Sequence, residues 1–147
     1  EQGPLMTTYR RTVLIEWGDC DPAGIVFYPR YFFYFDANTA GLFDHVGLSK
    51  QQMTRRYGIL GLPMVDTRGR FLVPTRFGDR VEIATRITRF GRSSFDVEHR
   101  LSHGDTLAVE CWETRVWTAR HPDDPDRLIG MPIPDEVKAR FTEPIAI

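Results

Sequence analysis

The first periodic segment of the chain has a period of two. Over residues 7–17, Val13, Ile15 and Trp17 alternate with Thr12, Leu14 and Glu16, which predicts a strand. From Phe27 the period lengthens. Apolar or aromatic residues fall at 27, 28, 31, 32, 35, 39, 42, 43 and 46, spacings of three and four that predict a helix of roughly 18 residues. Pro29 sets its start, because proline is tolerated in a first turn, where its missing N–H would be unpaired anyway. Gly41 is a weak point in its interior, and the run 45–48 is its expected end. Ser49 then caps a short second helix over 50–56 that Gly58 closes.

Strand patterns occupy most of the remainder. Residues 64–73 form a strand entered irregularly after Pro63, and the turn Gly78-Asp79 leads to a second over 80–89. Phe95, Val97, His99 and Leu101 alternate in a third, and residues 106–119 read as one long last strand with Trp112, Val116 and Trp117. The turns Gly91-Arg92-Ser93 and His103-Gly104-Asp105 are short, so these strands are antiparallel neighbours. The proline-rich tail from His121 predicts loop, with a short helix over 134–141. Strand, long helix, short helix and four strands make an α+β class: a curved antiparallel five-stranded sheet wrapped around one hydrophobic helix, so that each hides its apolar face. Phe33 and Tyr34 lie off the main stripe, leaving the helix apolar nearly all round. We therefore expect a homo-oligomer in which a partner covers part of it.

Size and charge narrow the function. A chain of 147 residues is one ordinary domain, and EQGPLM, residues 1–6, reads as added sequence ahead of a native start at Met6, leaving the domain at 7–147. A formal charge of -1 without a basic block argues against nucleic-acid binding. Cys20 and Cys111 show neither a disulfide framework nor metal-ligand spacing, and read as free thiols in a reducing compartment. No metal or redox cofactor is expected. No apolar run reaches 18 residues and no signal peptide is seen, so the expectation is a cytoplasmic protein without stable membrane insertion.

Candidate chemistry gathers between Trp17 and Asp36. Pro22 and Gly24 shape a tight turn carrying Asp21 ahead of the helix N-terminus, where unsatisfied N–H groups of Phe27, Tyr28 and their neighbours point back at it. Two readings of Asp21 stay open at this level: a helix cap, or a carboxylate acting on a substrate carbonyl whose oxyanion those donors stabilise. Asp19 reads as a structural residue pairing with turn amides. A Cys20 nucleophile would need a histidine from His45, His99 or His103, none near in sequence, and His99 reads as a hydrogen-bonded strand residue. Asp36 on the hydrophobic helix reads either as an interface ion pair or as a receptor for a polar substituent, with Asn38 and His45 adding polarity nearby.

The run GDCDPAGIVFYPRYFFYFD, residues 18–36, together with YGILGLPMV, residues 57–65, resembles the hotdog-fold acyl-CoA thioesterases, in particular the bacterial 4-hydroxybenzoyl-CoA thioesterases. The resemblance implies a hotdog fold and hydrolysis of an acyl-CoA thioester to free acid and coenzyme A. It implies that Asp21 serves as nucleophile or general base, that the Tyr28 backbone N–H holds the thioester oxygen, and that active sites form at a dimer interface within a homodimer or a dimer-of-dimers tetramer. Phe27, Asp36, Gly61 and Leu62 fall to the acyl site, Asp36 where the family receives a ring hydroxyl. Leu62 departs from the threonine of the hydroxybenzoyl enzymes, which favours a short or medium aliphatic acyl group as the alternative substrate. Coenzyme A phosphates require arginines, for which Arg89, Arg92 and Ser93 beside Gly91 are the local candidates, with Arg120 and Arg127 behind them. The competing classes are a hotdog hydratase, which would need a placed catalytic histidine, and a non-catalytic acyl-thioester-binding protein.

Overall fold

A computed structural model describes residues 5–143. Its elements are β1 (Tyr9–Leu14), α1 (Pro29–His45), α2 (Lys50–Tyr57), β2 (Ile59–Gly61), β3 (Met64–Phe71), β4 (Arg80–Phe90), β5 (Ser94–His103), β6 (Thr106–Val116), β7 (Thr118–Arg120), β8 (Leu128–Gly130) and α3 (Asp135–Ala139). Five antiparallel strands form the main sheet in the order β1-β4-β5-β6-β3, which leaves β1 and β3 as edges. The inward residues of this sheet pack on α1: the Phe35 ring stacks on His99 of β5 and Phe43 meets Phe95. This is the expected α+β arrangement.

Three expectations change. β1 stops at Leu14, and Trp17 opens a single 3-10 turn with its ring exposed, edge-on to Phe77 at 5.4 Å. The long last strand breaks at Trp117, whose backbone N–H donates to the Ser93 carbonyl and whose own carbonyl accepts from Met131 N–H, both at 2.8 Å. Beyond that break β7 pairs with β2 and β8 in a separate three-stranded sheet, so the tail holds a strand, β8, as well as the short helix α3. β2, β7 and β8 have three residues each, too few to show a period. Of residues 1–6, read from the sequence as added, 1–4 lie outside the described chain. Leu5 and Met6 are engaged: Glu143 N–H donates to the Leu5 carbonyl at 2.7 Å, and Met6 bridges Thr142.

α1 begins with Pro29 in its first turn, as its sequence requires, and runs 17 residues. Gly41 is a point of close approach: a Cβ there would lie 2.6 Å from the ring of Tyr9 in β1. Ser49 and Gln52 form a reciprocal capping box at the start of α2. The buried face of α1 is Tyr31, Phe35, Asn38, Thr39, Leu42 and Phe43, so two polar residues sit in the middle of its apolar stripe. They coincide with a division of the core. Tyr31 and Phe35 belong to one apolar cluster with Ile83 and Leu101, whereas Leu42 and Phe43 belong to another with Phe95 and Trp117.

Candidate active site

The turn after β1 is a small hairpin. Asp19 carbonyl accepts from Phe27 N–H and Asp21 N–H donates to Ile25 carbonyl, both at 2.9 Å, while Cys20 bridges Val26 between them. Gly24, at φ 80°, lets the tip reverse. The hairpin is tied to residues 75–77 by Val26 N–H on the Thr75 carbonyl and Phe77 N–H on the Gly24 carbonyl. At the tip, Asp21 Oδ1 accepts from Ala23 N–H at 2.8 Å, an Asx turn that fixes the side chain by its own backbone. Its Oδ2 has no hydrogen-bond or ion-pair partner among the described residues.

The donors at the start of α1 number fewer than the sequence suggests. Phe27 N–H is taken by Asp19, and Pro29 has none. Tyr28 N–H is left without a partner among the described residues. The Asp19 side chain does not take the turn amide that the sequence suggests for it, and is held by other side chains: Tyr34 Oη donates to Oδ2 at 2.7 Å and Arg30 lies 3.9 Å from Oδ1. Burial and then the Asp19 carboxylate push the Tyr34 phenol well above its ordinary range, so it stays protonated as the donor. Cys20 is placed against the Glu16 carbonyl, and burial followed by Asp19 and Asp21 raises its thiol, the reverse of what a thiolate nucleophile needs. None of the histidines serves it. His45 packs on the Tyr9 ring, His103 faces Asp79, and His99 lies in the core.

Asp36, Gly61 and Leu62, far apart in sequence, come together on one cavity of about 350 Å³, whose wall also includes Thr39, Phe43 and Arg115. Phe27 is not on it. That ring is half exposed and meets Tyr28 edge-on at 5.5 Å, next to a second, smaller hollow of about 200 Å³ formed by Tyr28, Tyr31, Phe71 and their neighbours. Within one chain the Tyr28 amide and the Asp36 cavity are therefore separate.

Behind the larger cavity lies a buried polar layer that the sequence did not disclose. Arg11 Nε donates to Asn38 Oδ1 at 2.7 Å, and Asn38 Nδ2 donates to Thr85 Oγ1 at 2.7 Å. Thr85 meets His99 Nδ1 at 2.6 Å, and His99 Nε2 lies 3.0 Å from Glu113 Oε2. A carboxylate only accepts, so that Nε2 carries a proton. Glu113 Oε1 accepts from Thr39 Oγ1 and from Arg115 Nε, and Arg115 Nη2 reaches Asp36 Oδ1 at 2.8 Å. No buried side-chain nitrogen or oxygen among the described residues lacks a partner. Burial alone would raise the Glu113 carboxyl, but hydrogen bonds and charge from His99 and Arg115 outweigh it and hold the group at about 2. Asn38, which adds polarity near Asp36 in the sequence, thus points into the core and does not line the cavity. Asp36 is ion-paired within its own chain, with 70% of its side chain exposed.

The predicted phosphate contacts lie at the opposite hairpin. Arg89 pairs with Asp96 at 3.6 Å, Arg92 is exposed, and the carbonyls of Arg92 and Ser93 accept from Ile133 and Trp117. Arg120 holds the Pro125 carbonyl in the tail. No group of His, Cys, Asp and Glu among the described residues is arranged to hold a metal ion, and no helix is long and apolar enough to cross a membrane.

Comparison with known proteins agrees with the fold. The profile of the thioesterase-like superfamily matches residues 15–141. The chain is 35% identical over 127 residues to 4-hydroxybenzoyl-CoA thioesterase of Pseudomonas sp. (strain CBS-3), covering 82% of this chain and 87% of that one. It is 31% identical over 98 residues to 1,4-dihydroxy-2-naphthoyl-CoA hydrolase of Synechococcus elongatus, covering 67% and 72%. Among solved structures, an aspartate-to-asparagine variant of 4-hydroxybenzoyl-CoA thioesterase complexed with 4-hydroxybenzoyl-CoA superposes with a TM-score of 0.83 at 30% identity, over 92% of this chain and 99% of that one. With its five-stranded sheet, central helix and profile match over most of its length, the chain belongs to the thioesterase-like superfamily and is a hotdog-fold thioesterase.

Proposed function

We propose that this thioesterase hydrolyses an acyl-CoA ester to the free acid and coenzyme A, and that its acyl group is aromatic and hydroxylated. Asp21 acts on the thioester carbonyl, as nucleophile or as general base for water, and the Tyr28 N–H receives the developing oxyanion. The reading is supported by two observations on the same short hairpin-to-helix segment: an unpartnered amide at the start of α1, and a carboxylate fixed by its own turn with one oxygen free. An amide aimed at a developing oxyanion contributes about 2.7–4 kcal/mol to lowering the barrier. Asp36, on the wall of the larger cavity, receives the ring hydroxyl. The family relatives named above act on hydroxylated aromatic CoA esters, which supports the same class here. The apolar walls beside Leu62 support a second reading, a short aliphatic acyl group in the same cavity.

The active unit is a homodimer or a pair of dimers. β3 is a free sheet edge that exposes Met64, Val65 and Phe71, and the adjoining start of α1 exposes Phe27, Tyr28 and Phe33, a combination that invites pairing with a second copy. Such pairing would set the Tyr28 amide of one copy against the Asp36 cavity of the other. Coenzyme A phosphates fall to Arg89, Arg92 and Ser93, and two free thiols, Cys20 and Cys111, fit the cytoplasm.

The test is release of free thiol from a panel of aromatic and aliphatic acyl-CoAs. Turnover of at least one ester is expected, falling by about 100-fold or more in Asp21→Asn. Comparable rates in that variant would remove Asp21 from the mechanism.

A further inference from the structure

Arg115 is the one cation of the polar layer that reaches the larger cavity. Its guanidinium is held from three elements: Nε donates to Glu113 Oε1 on β6 at 2.8 Å, Nη1 to the Leu62 carbonyl between β2 and β3 at 3.1 Å, and Nη2 to Asp36 Oδ1 on α1 at 2.8 Å. Glu113 is itself fixed by Thr39 and His99. A planar fork pinned at Nε and Nη1 has no freedom left at Nη2. The side chain of Arg115 is 9% exposed, while that of Asp36 is 70% exposed. The anchor is therefore buried and the group it holds is not.

We infer that Arg115 is a positioning residue that sets acyl selectivity: it aims the Asp36 carboxylate into the cavity so that the site takes an acyl group ending in a hydrogen-bond donor. This rests on the proposed role of Asp36. With Oδ1 on Arg115 and Asp36 on the cavity wall, the other carboxylate oxygen is left for a ligand and can only accept. An acyl group ending in a carboxylate meets this anion and is disfavoured, and an unsubstituted ring leaves it without a partner. The other charged wall residues, Asp44 and Lys50, sit at exposed positions near the end of α1 and the start of α2. A lysine at 115 keeps the charge but, as a single ammonium, does not reproduce the fork.

The readout is the ratio of kcat/KM for 4-hydroxybenzoyl-CoA to that for benzoyl-CoA, which a loss of overall packing would not move. The proposal expects Asp36→Ala and Arg115→Lys each to lower this ratio by about 10- to 100-fold, the range for a hydrogen bond to a charged group. It also expects the double variant to lower it no further than Asp36→Ala alone. If Arg115→Lys fails to fold, Arg115→Met/Glu113→Gln removes both buried charges together and is held to the same expectations. An unchanged ratio in the Arg115 variants, with a fall in Asp36→Ala, would overturn the role of Arg115 and leave that of Asp36 standing. A double variant whose ratio falls by the product of the two single effects would also overturn it, since Arg115 would then act by another route. An unchanged ratio in Asp36→Ala would overturn both readings at once.

Discussion

Replacing Glu113 with glutamine tests the buried layer through its charge. The amide keeps an oxygen for Arg115 Nε and Thr39 Oγ1, but sets an NH₂ group against the His99 Nε2 proton that the carboxylate accepted, so the imidazole must change tautomer or lose the contact. The magnitude follows from linkage. Glu113 titrates at about 2 in the fold against an ordinary 4.5, a depression equivalent to about 3 kcal/mol of stability at neutral pH. For a depressed carboxylate the contribution is complete above the unfolded value and is lost as pH falls through the folded one. The gap between wild type and Glu113→Gln should therefore be wider by about 3 kcal/mol at neutral pH than at pH 2, with about 1 kcal/mol of that widening still present near pH 3. The full widening corresponds to a Tm difference larger by roughly 6–12 °C for a chain of this size. Urea unfolding and calorimetry at one fixed protein concentration, since association contributes to stability, would measure both. A gap that stays flat between neutral pH and pH 2, or one under about 0.5 kcal/mol at neutral pH, would refute the reasoning.

Two further perturbations address the hairpin and the sheet edge. Tyr34→Phe removes the hydroxyl on Asp19 Oδ2 and should lower stability by about 1.5 kcal/mol, seen as a lower urea midpoint with an unchanged slope; an unmoved midpoint would discard this contact as a tie for the turn. Val65→Lys places a charge on the exposed edge strand β3 and should shift the protein to monomers in sedimentation, with thiol release falling in step; fully active monomers would dismiss the interface site.

Much of this architecture was legible because local signals and tertiary packing agree. Pro29 opens α1, Ser49 and Gln52 cap α2, Gly58 ends it, and β4 and β5 alternate inward and outward as their sequences do. The Asp21 turn was legible from Pro22 and Gly24, whereas the convergence of Asp36, Gly61 and Leu62 came only through the family resemblance, since no spacing links residues 36 and 61. β6 shows where pattern reading fails. Hydrophobicity would turn Trp112 inward. Instead Cys111, Glu113 and Arg115 face the core, and Trp112 lies on the other face with Arg68 over its ring at 4.5 Å. The charged pair is affordable inside only because His99, Thr39 and the Leu62 carbonyl arrive from three other segments, information no window along β6 contains.

Stability does not explain this layer. A buried ion-pair network is commonly matched or surpassed by apolar residues of the same volume, and here it divides one core into two clusters. A continuous apolar stripe along α1 would have served the fold at least as well. The layer ends at Arg115, and Arg115 ends on Asp36 at the cavity wall. On the proposed reading the polar cut through the core is the mounting of a recognition group: a carboxylate on an exposed helix position swings among rotamers, and fixing it requires a cation that is itself immobile. Immobility in turn requires burial with every donor and acceptor satisfied. The stability given up along residues 38, 85, 99 and 113 is then exchanged for selectivity at residue 36.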